Sequence, residues 1–323
     1  MSFRTILVVK PSSLGDVVHT LPSVALLKRA WPKATLRWLV NPEWAPLLEG
    51  NPDIDELIVF PRRELGGIAK LPKQIRWIRH TGATYQSELV VDFQGLLRSA
   101  IIGRACRAPG GRLIGLSDAR EGARYFYDQV VQTAANPEHA VDRYLRLPAE
   151  LGLKPAGPLD WRLPQGTRPA GFTLDQPFVL LHPFSRGAGK SLSAEETELF
   201  CKAAPFPVVL AGKTDVEVTP SRTVVNLLNR TTIPELIWLI RNARFVVSVD
   251  SGPMHIAAAL TPNLLSIHTW SDPALVGPHH PDAWVWKGRT LLQVRQLRET
   301  PQPGVKPLTA PDIRAVAEFV AGL

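Results

Sequence analysis

Three short segments hold the residues whose types and spacing could do chemistry. The first is KPSSLGDVVHT (10–20), in which Ser12 or Ser13 can cap a helix, Gly15 permits a tight backbone and Asp16 falls near the helix start. A carboxylate at that place could act as a general base toward a hydroxyl. It could equally serve only the helix dipole, and the same helix end lowers its pKa and weakens it as a base. The second segment is SVDSGPMHIAAAL (248–260), where a strand ends at Asp250, Ser251 and Gly252 make the turn, and Pro253 suits a first helical turn that also carries His255. Backbone N–H groups at such a helix start form an anion site of the kind that takes a diphosphate. Capping by Asp or Ser and a structural His are the alternatives. The third is HPFSRGAGKSLS (182–193), a polar loop with Ser185, Arg186 and Lys190 as donors. Lys190 reads either as a cation that neutralises phosphate or as a solvated loop lysine.

Other chemistries lack their motifs. The spacing GxxxxGK[ST] is absent, and no GxGxxG follows either half's first strand, which argues against a dinucleotide-linked dehydrogenase. No GxSxG elbow or HExxH supports hydrolysis. Asp53 and Asp55 spell D-x-D inside NPDIDELIVF, a turn entering a strand, and His279 and His280 are adjacent rather than spaced as ligands. Two cysteines make neither a disulfide framework nor a zinc cluster. No metal and no resident cofactor are expected.

These segments need elements to hold them at strand ends, and the apolar pattern supplies them. TILVVK (5–10), TLRWLV (35–40), ELIVF (56–60) and SELVVDF (87–93) read as strands, with helical spacing over 17–31. A stretch rich in proline and glycine (154–177) reads as a linker. The alternation restarts with FVLLHP (178–183), PVVLAG (207–212), TVVNLL (223–228), FVVSVD (245–250) and NLLSIH (263–268), and a helix closes the chain over 310–323. Continuous apolar strands separated by helices predict parallel sheets covered on both faces. Two doubly wound α/β domains follow, with ligands at the carboxyl ends of their strands.

Lys and Arg exceed Asp and Glu by 37 to 29, a net charge of +8. Arg62, Arg63, Lys70, Lys73, Arg76 and Arg79 form one cluster against Glu64 alone, and Arg98, Arg104, Arg107, Arg112, Arg120 and Arg124 follow. A solvated helix face would account for them, and so would an anionic acceptor or an anionic lipid surface. No nucleic-acid-binding motif accompanies the charge, so nucleic acid is not an expected partner. The amino terminus lacks a signal-peptide pattern, and no run approaches the roughly 20 apolar residues of a bilayer span. A cytoplasmic chain is the expectation.

Five segments together resemble one family: KPSSLGDVVHTLP (10–22), DFQGLLRSA (92–100), AREGARYFYD (119–128), HAVDRYLRL (139–147) and VVSVDSGPMHIAAAL (246–260). They are similar, in the same order, to bacterial ADP-heptose:lipopolysaccharide heptosyltransferases, nearest to the heptosyltransferase I branch. The resemblance implies an α/β protein of GT-B architecture, two Rossmann-like domains with the active site in the cleft between them. It implies an acceptor domain over 1–160, with the helix 310–323 packing back on it, and a nucleotide-sugar donor domain over 161–309. Asp16 is then the catalytic base and Lys190 the catalytic phosphate cation. Ser185, Lys190, Asp250, Ser251, Gly252 and His255 bind donor, while Ser12, Ser13, Gly15, Gln94, Arg98 and Arg120 face the acceptor.

The implied reaction is inverting transfer of a heptose from ADP-heptose, a co-substrate rather than a cofactor, to the Kdo region of an anionic glycolipid. The implied place is the cytoplasmic face of the inner membrane, with peripheral contact. The family commonly reads Lys-Trp-Pro where this chain has Lys190-Ser191-Leu192, and Gly-Pro-Thr-Asp-Pro where it has Thr269-Trp270-Ser271-Asp272-Pro273. Both departures bear on recognition of sugar and adenine. A transferase with another nucleotide sugar or core acceptor is one alternative. A non-catalytic protein that binds nucleotides or anionic glycans is the other.

Overall fold

The computed structural model describes residues 2–187, 189–219, 224–297 and 308–322. The chain divides into two units, Met1–Pro164 and Gln165–Leu323, with the boundary inside the stretch read as a linker. The outer ends of two expected elements, Thr223 and Leu323, lie outside the described residues.

In the first unit β1 (Thr5–Val9) leads to α1 (Leu14–Ala30), β2 (Thr35–Val40) and β3 (Glu56–Val59). Then come α2 (Arg62–Leu65), α3 (Leu71–Thr84), β4 (Ser87–Asp92), α4 (Leu97–Cys106), β5 (Arg107–Leu116), β6 (Gln129–Val131) and α5 (Ala140–Glu150). The strands lie in the order β3-β2-β1-β4-β5-β6, and every pair is parallel. One face of the sheet buries Leu7, Val9, Leu39, Val90 and Leu113 against Ala100, Ile102 and Cys106 of α4. Helix α1 is buried along its middle, Val17 through Leu27, and packs on α5, as a helix apolar on most sides must.

The second unit runs β7 (Val179–His182), α6 (Ala194–Ala203), β8 (Val208–Gly212), β9 (Val224–Leu228) and α7 (Ile233–Asn242). It continues through β10 (Phe245–Val249), α8 (Gly252–Leu260), β11 (Leu264–His268), α9 (Pro273–Val276), β12 (Trp284–Lys287), β13 (Thr290–Gln293) and α10 (Ala310–Ala321). Its order is β13-β12-β11-β10-β7-β8-β9, parallel except for the β12–β13 hairpin. That hairpin turns on Gly288 and Arg289, both at positive φ, the geometry a two-residue turn between twisted strands requires. Helix α10 corrects one expectation. It buries Ile313, Val316, Ala317 and Val320 in the core of the second unit, with Val179, Phe200 and Phe245, and packs on α6. An apolar stripe finds its core where the sheet offers an uncovered face, which sequence order alone does not specify.

Each sheet reverses its direction of growth beside its first strand, between β1 and β4 and between β7 and β10. The loops leaving those strand ends diverge there and leave room for a ligand. The residues after β1 (10–16), after β4 (93–98), after β7 (183–190) and after β10 (250–252) are the segments that carry the chemistry-bearing side chains. Among the described residues, no helix is long and apolar enough to cross a membrane.

Candidate active site

Ser13 is the N-cap of α1 and Asp16 its third helical residue, so the carboxylate turns back over the helix end. Its Oδ2 accepts from the Ser13 N–H at 3.1 Å and from the Ser13 hydroxyl at 2.7 Å. Its Oδ1 accepts from the Tyr144 hydroxyl of α5 at 2.8 Å and lies 3.7 Å from the Lys10 Nζ. Lys10 is buried. Its ammonium donates to the Tyr144 oxygen at 2.8 Å and to the Phe93 carbonyl at 3.2 Å. Tyr144 therefore takes a hydrogen bond from Lys10 and donates one to Asp16. Burial works to raise the Asp16 carboxyl, but Lys10 and the bonds from Ser13 and Tyr144 more than offset it, leaving the pKa below its ordinary 3.8. Burial also lowers the Lys10 ammonium, against the pull of Asp16 and Asp92. The Asp16 side chain remains about a third exposed (36%), open to an incoming group.

Asp92 shapes the neighbouring loop. It is buried and accepts from the Gln94 and Gly95 N–H groups and from the hydroxyls of Ser99 and Tyr127, at 2.8–3.1 Å. Gly95 adopts φ +67, a conformation that side chains with a Cβ rarely take, so this position calls for glycine. The loop presents Gln94, whose Oε1 accepts from the Ser12 N–H at 3.3 Å. Ser12, Gln94 and Arg98 share the wall of a cavity of about 560 Å³, together with Arg62, Asn41 and the apolar Leu71, Ile75, Ile78 and Leu97. Gly15 sits in the first turn of α1, half-buried. Arg120 is exposed, its N–H donates to the Gly95 carbonyl at 2.8 Å, and the cavity wall carries Glu121 in its stead.

In the second unit Lys190 reaches Asp250, with Nζ 2.6 Å from Oδ2. Ser185 donates from Oγ to the Asp250 carbonyl at 2.8 Å, tying the loop after β7 to the end of β10. Ser191 closes that loop, donating from Oγ to the Ser185 carbonyl at 3.1 Å and accepting from the Ser185 N–H at 2.9 Å. Burial pushes the Asp250 carboxyl up, but hydrogen bonds from Lys190 and Ser271 and nearby positive charge more than offset it, so it stays ionised. Ser251 is the N-cap of α8, Gly252 its first residue, and Pro253 brings no N–H. The backbone donors at this helix end are those of Ser251 and Gly252. The Ser251 hydroxyl lies 3.3 Å from His182 Nδ1, and burial lowers His182 to about 4, which keeps the ring neutral at pH 7. His255 follows in the first turn of α8, half-buried.

The suspect D-x-D resolves into ion pairs. Asp55 binds Lys28 at 2.7 Å and the Leu36 N–H, while Asp53 lies 3.6 Å from Arg162. Lys10, Tyr144 and Asp92 were not singled out by sequence. Lys10 and Tyr144 stand 134 positions apart, and neither's type or spacing foretells their meeting. Asn41 was also missed. It is buried on the cavity wall, with no hydrogen-bond partner for either atom of its amide among the described residues.

The model of glycosyltransferase family 9 (heptosyltransferase) matches residues 77–300, which spans β4 through the end of the second sheet. The chain belongs to glycosyltransferase family 9. Among its curated relatives, lipopolysaccharide heptosyltransferase 1 of Salmonella typhimurium is 29% identical over 84% of this chain and 90% of that protein. The Pseudomonas aeruginosa protein of the same name is 28% identical over 85% of this chain and 81% of its own length. Among solved structures, E. coli heptosyltransferase WaaC with ADP aligns over 98% of this chain and 99% of its own, with a TM-score of 0.74 at 24% identity. The fold of this family 9 member is thus GT-B, two Rossmann-like units.

Proposed function

We propose that this heptosyltransferase moves a heptose, with inversion, from ADP-heptose to the Kdo region of lipopolysaccharide. Asp16 takes the proton of the attacking hydroxyl. The new C–O bond forms at the anomeric carbon while the bond to the β-phosphate oxygen breaks, and ADP leaves with the electron pair. Lys190 and the N–H groups of Ser251 and Gly252 meet the charge that builds on the diphosphate. Asp250, Ser185 and His255 complete the donor set. Ser12, Ser13, Gly15, Gln94, Arg98 and Arg120 serve the anionic acceptor. The observation that carries this reading is the Asp16 carboxylate, held ionised by Lys10 and Tyr144 yet still partly open. A donor panel that varies nucleotide and sugar separately tests it. ADP-heptose should outpace UDP- and ADP-hexoses by about a hundredfold or more in kcat/KM, roughly 3 kcal/mol of discrimination. Equal use of an ADP-hexose would refute the assignment.

The lipid acceptor also calls for a membrane surface, and the first unit supports one. Leu71 and Ile75 are exposed on α3, beside the exposed Arg62, Arg63, Lys70, Lys73, Arg76 and Arg79. Exposed apolar side chains on a helix with basic neighbours suit the anionic cytoplasmic leaflet, where each basic residue contributes about 1 kcal/mol. Wild-type protein should sediment with phosphatidylglycerol vesicles and not with phosphatidylcholine. Reversing Lys73, Arg76 and Arg79 to Glu should weaken that binding by about a hundredfold or more at low salt. Unchanged sedimentation would remove this surface from the account.

A further inference from the structure

Trp270 is the one exposed tryptophan among the described residues, half open at 50%, whereas Trp38 and Trp286 are buried. Its ring centre lies 5.0 Å from the Lys190 Nζ, so the ammonium that faces Asp250 on one side faces an indole on another. The backbone that carries it is pinned throughout. Thr269 donates from Oγ1 to the Gly189 carbonyl at 2.5 Å, joining this loop to the one that bears Lys190. The buried Lys287 donates to the carbonyls of Ser271 at 2.6 Å and Trp270 at 3.4 Å. His268 Nδ1 meets the Ser271 hydroxyl at 2.9 Å, and Asp272 caps α9 through the Ala274 N–H at 2.9 Å. A large apolar ring left in water on so fixed a loop is poised for a ligand rather than for the core.

We infer that Trp270 is the platform for the donor's sugar ring and so helps decide which sugar is transferred. The inference rests on Lys190 being the cation for the donor diphosphate. The charge released in transfer gathers on the phosphate that held the sugar, and a cation in contact with that phosphate lies next to the sugar it carries. A ring 5.0 Å from this cation is therefore within contact of the sugar, while the nucleoside hangs from the far phosphate. An indole face offers a flat apolar surface to the C–H face of a pyranose and leaves the hydroxyls at its edge free to bond elsewhere. Trp270 follows β11, which pairs with β10, the strand that ends at the turn bearing Asp250, Ser251 and Gly252.

The test compares two probes, ADP and ADP-heptose, titrated by calorimetry without acceptor. Trp270→Ala should raise the Kd of ADP-heptose about tenfold and that of ADP by less than about twofold, and Trp270→Phe should restore most of the loss. Equal weakening of both probes, or no change in either, would overturn the platform. Lys190→Ala is the control for the underlying reading and should weaken both probes. Were it to weaken neither, the phosphate role of Lys190 would fail independently of the Trp270 result.

Discussion

Asp16→Ala lowers kcat for transfer by about 10²- to 10⁴-fold, the range a positioned general base contributes, and leaves ADP affinity within about twofold. The separation follows from the division of labour. Asp16, the proposed base for the acceptor hydroxyl, belongs to the first unit, whereas Lys190, Ser251 and Gly252, the proposed phosphate donors, all belong to the second. Asp16→Asn keeps the shape and the Tyr144 bond but removes the charge that faces Lys10, so it should be nearly as inactive. Its pH profile carries a second mark of the role. Because the wild-type carboxyl is held below its ordinary value, it stays ionised as pH falls from 8 to 5, and no acid limb due to Asp16 appears in kcat/KM over that range. The depressed pKa makes Asp16 a weak base in the resting enzyme. Its leverage under the proposed mechanism lies in the transition state, where the hydroxyl proton becomes acidic as the bond to the anomeric carbon forms.

Lys190→Ala carries the second large effect, a loss of about 10²- to 10³-fold in kcat/KM for the donor. Two contributions combine here. The cation that would meet the leaving diphosphate is gone, and Asp250, its side chain only 8% exposed, is left without its partner beside an anion. The double variant Lys190→Ala, Asp250→Asn separates them. If Lys190 only masked Asp250, the double variant would recover wild-type kinetics. If Lys190 meets the phosphates itself, most of the loss persists. Steady-state kinetics of the two variants with ADP-heptose decide the matter, and an unchanged kcat/KM in the single variant would remove Lys190 from the chemistry.

Much of the fold was legible because buried parallel strands are written as unbroken apolar runs, as TILVV and FVVSV are. Four strands escaped that signal. β5 begins Arg107-Ala108-Pro109-Gly110-Gly111 and pairs with β4 across a register shift, and β6 has three residues. The β12–β13 hairpin turns on Gly-Arg in place of the usual Asn-Gly. The candidate site divides in the same way. Asp250 and Lys190 lie in loops and Asp16 in a first helical turn, positions that strand order and local spacing mark. The groups that tune them do not: Tyr144 comes from a helix 128 positions beyond Asp16, and only packing of α5 on α1 brings it there. Helix α10 was misplaced because its amphipathic stripe states that a core exists without stating which.

The account turns on one claim, that Asp16 activates an inner-core hydroxyl toward ADP-heptose. Single-turnover transfer to Kdo-bearing lipid A, quenched and read by mass spectrometry, measures it directly. The account predicts that wild-type enzyme adds one heptose to the acceptor, while Asp16→Ala, saturated with ADP-heptose, adds none on the same timescale. No mass gain with the wild type, or an equal single-turnover rate in the variant, would contradict it.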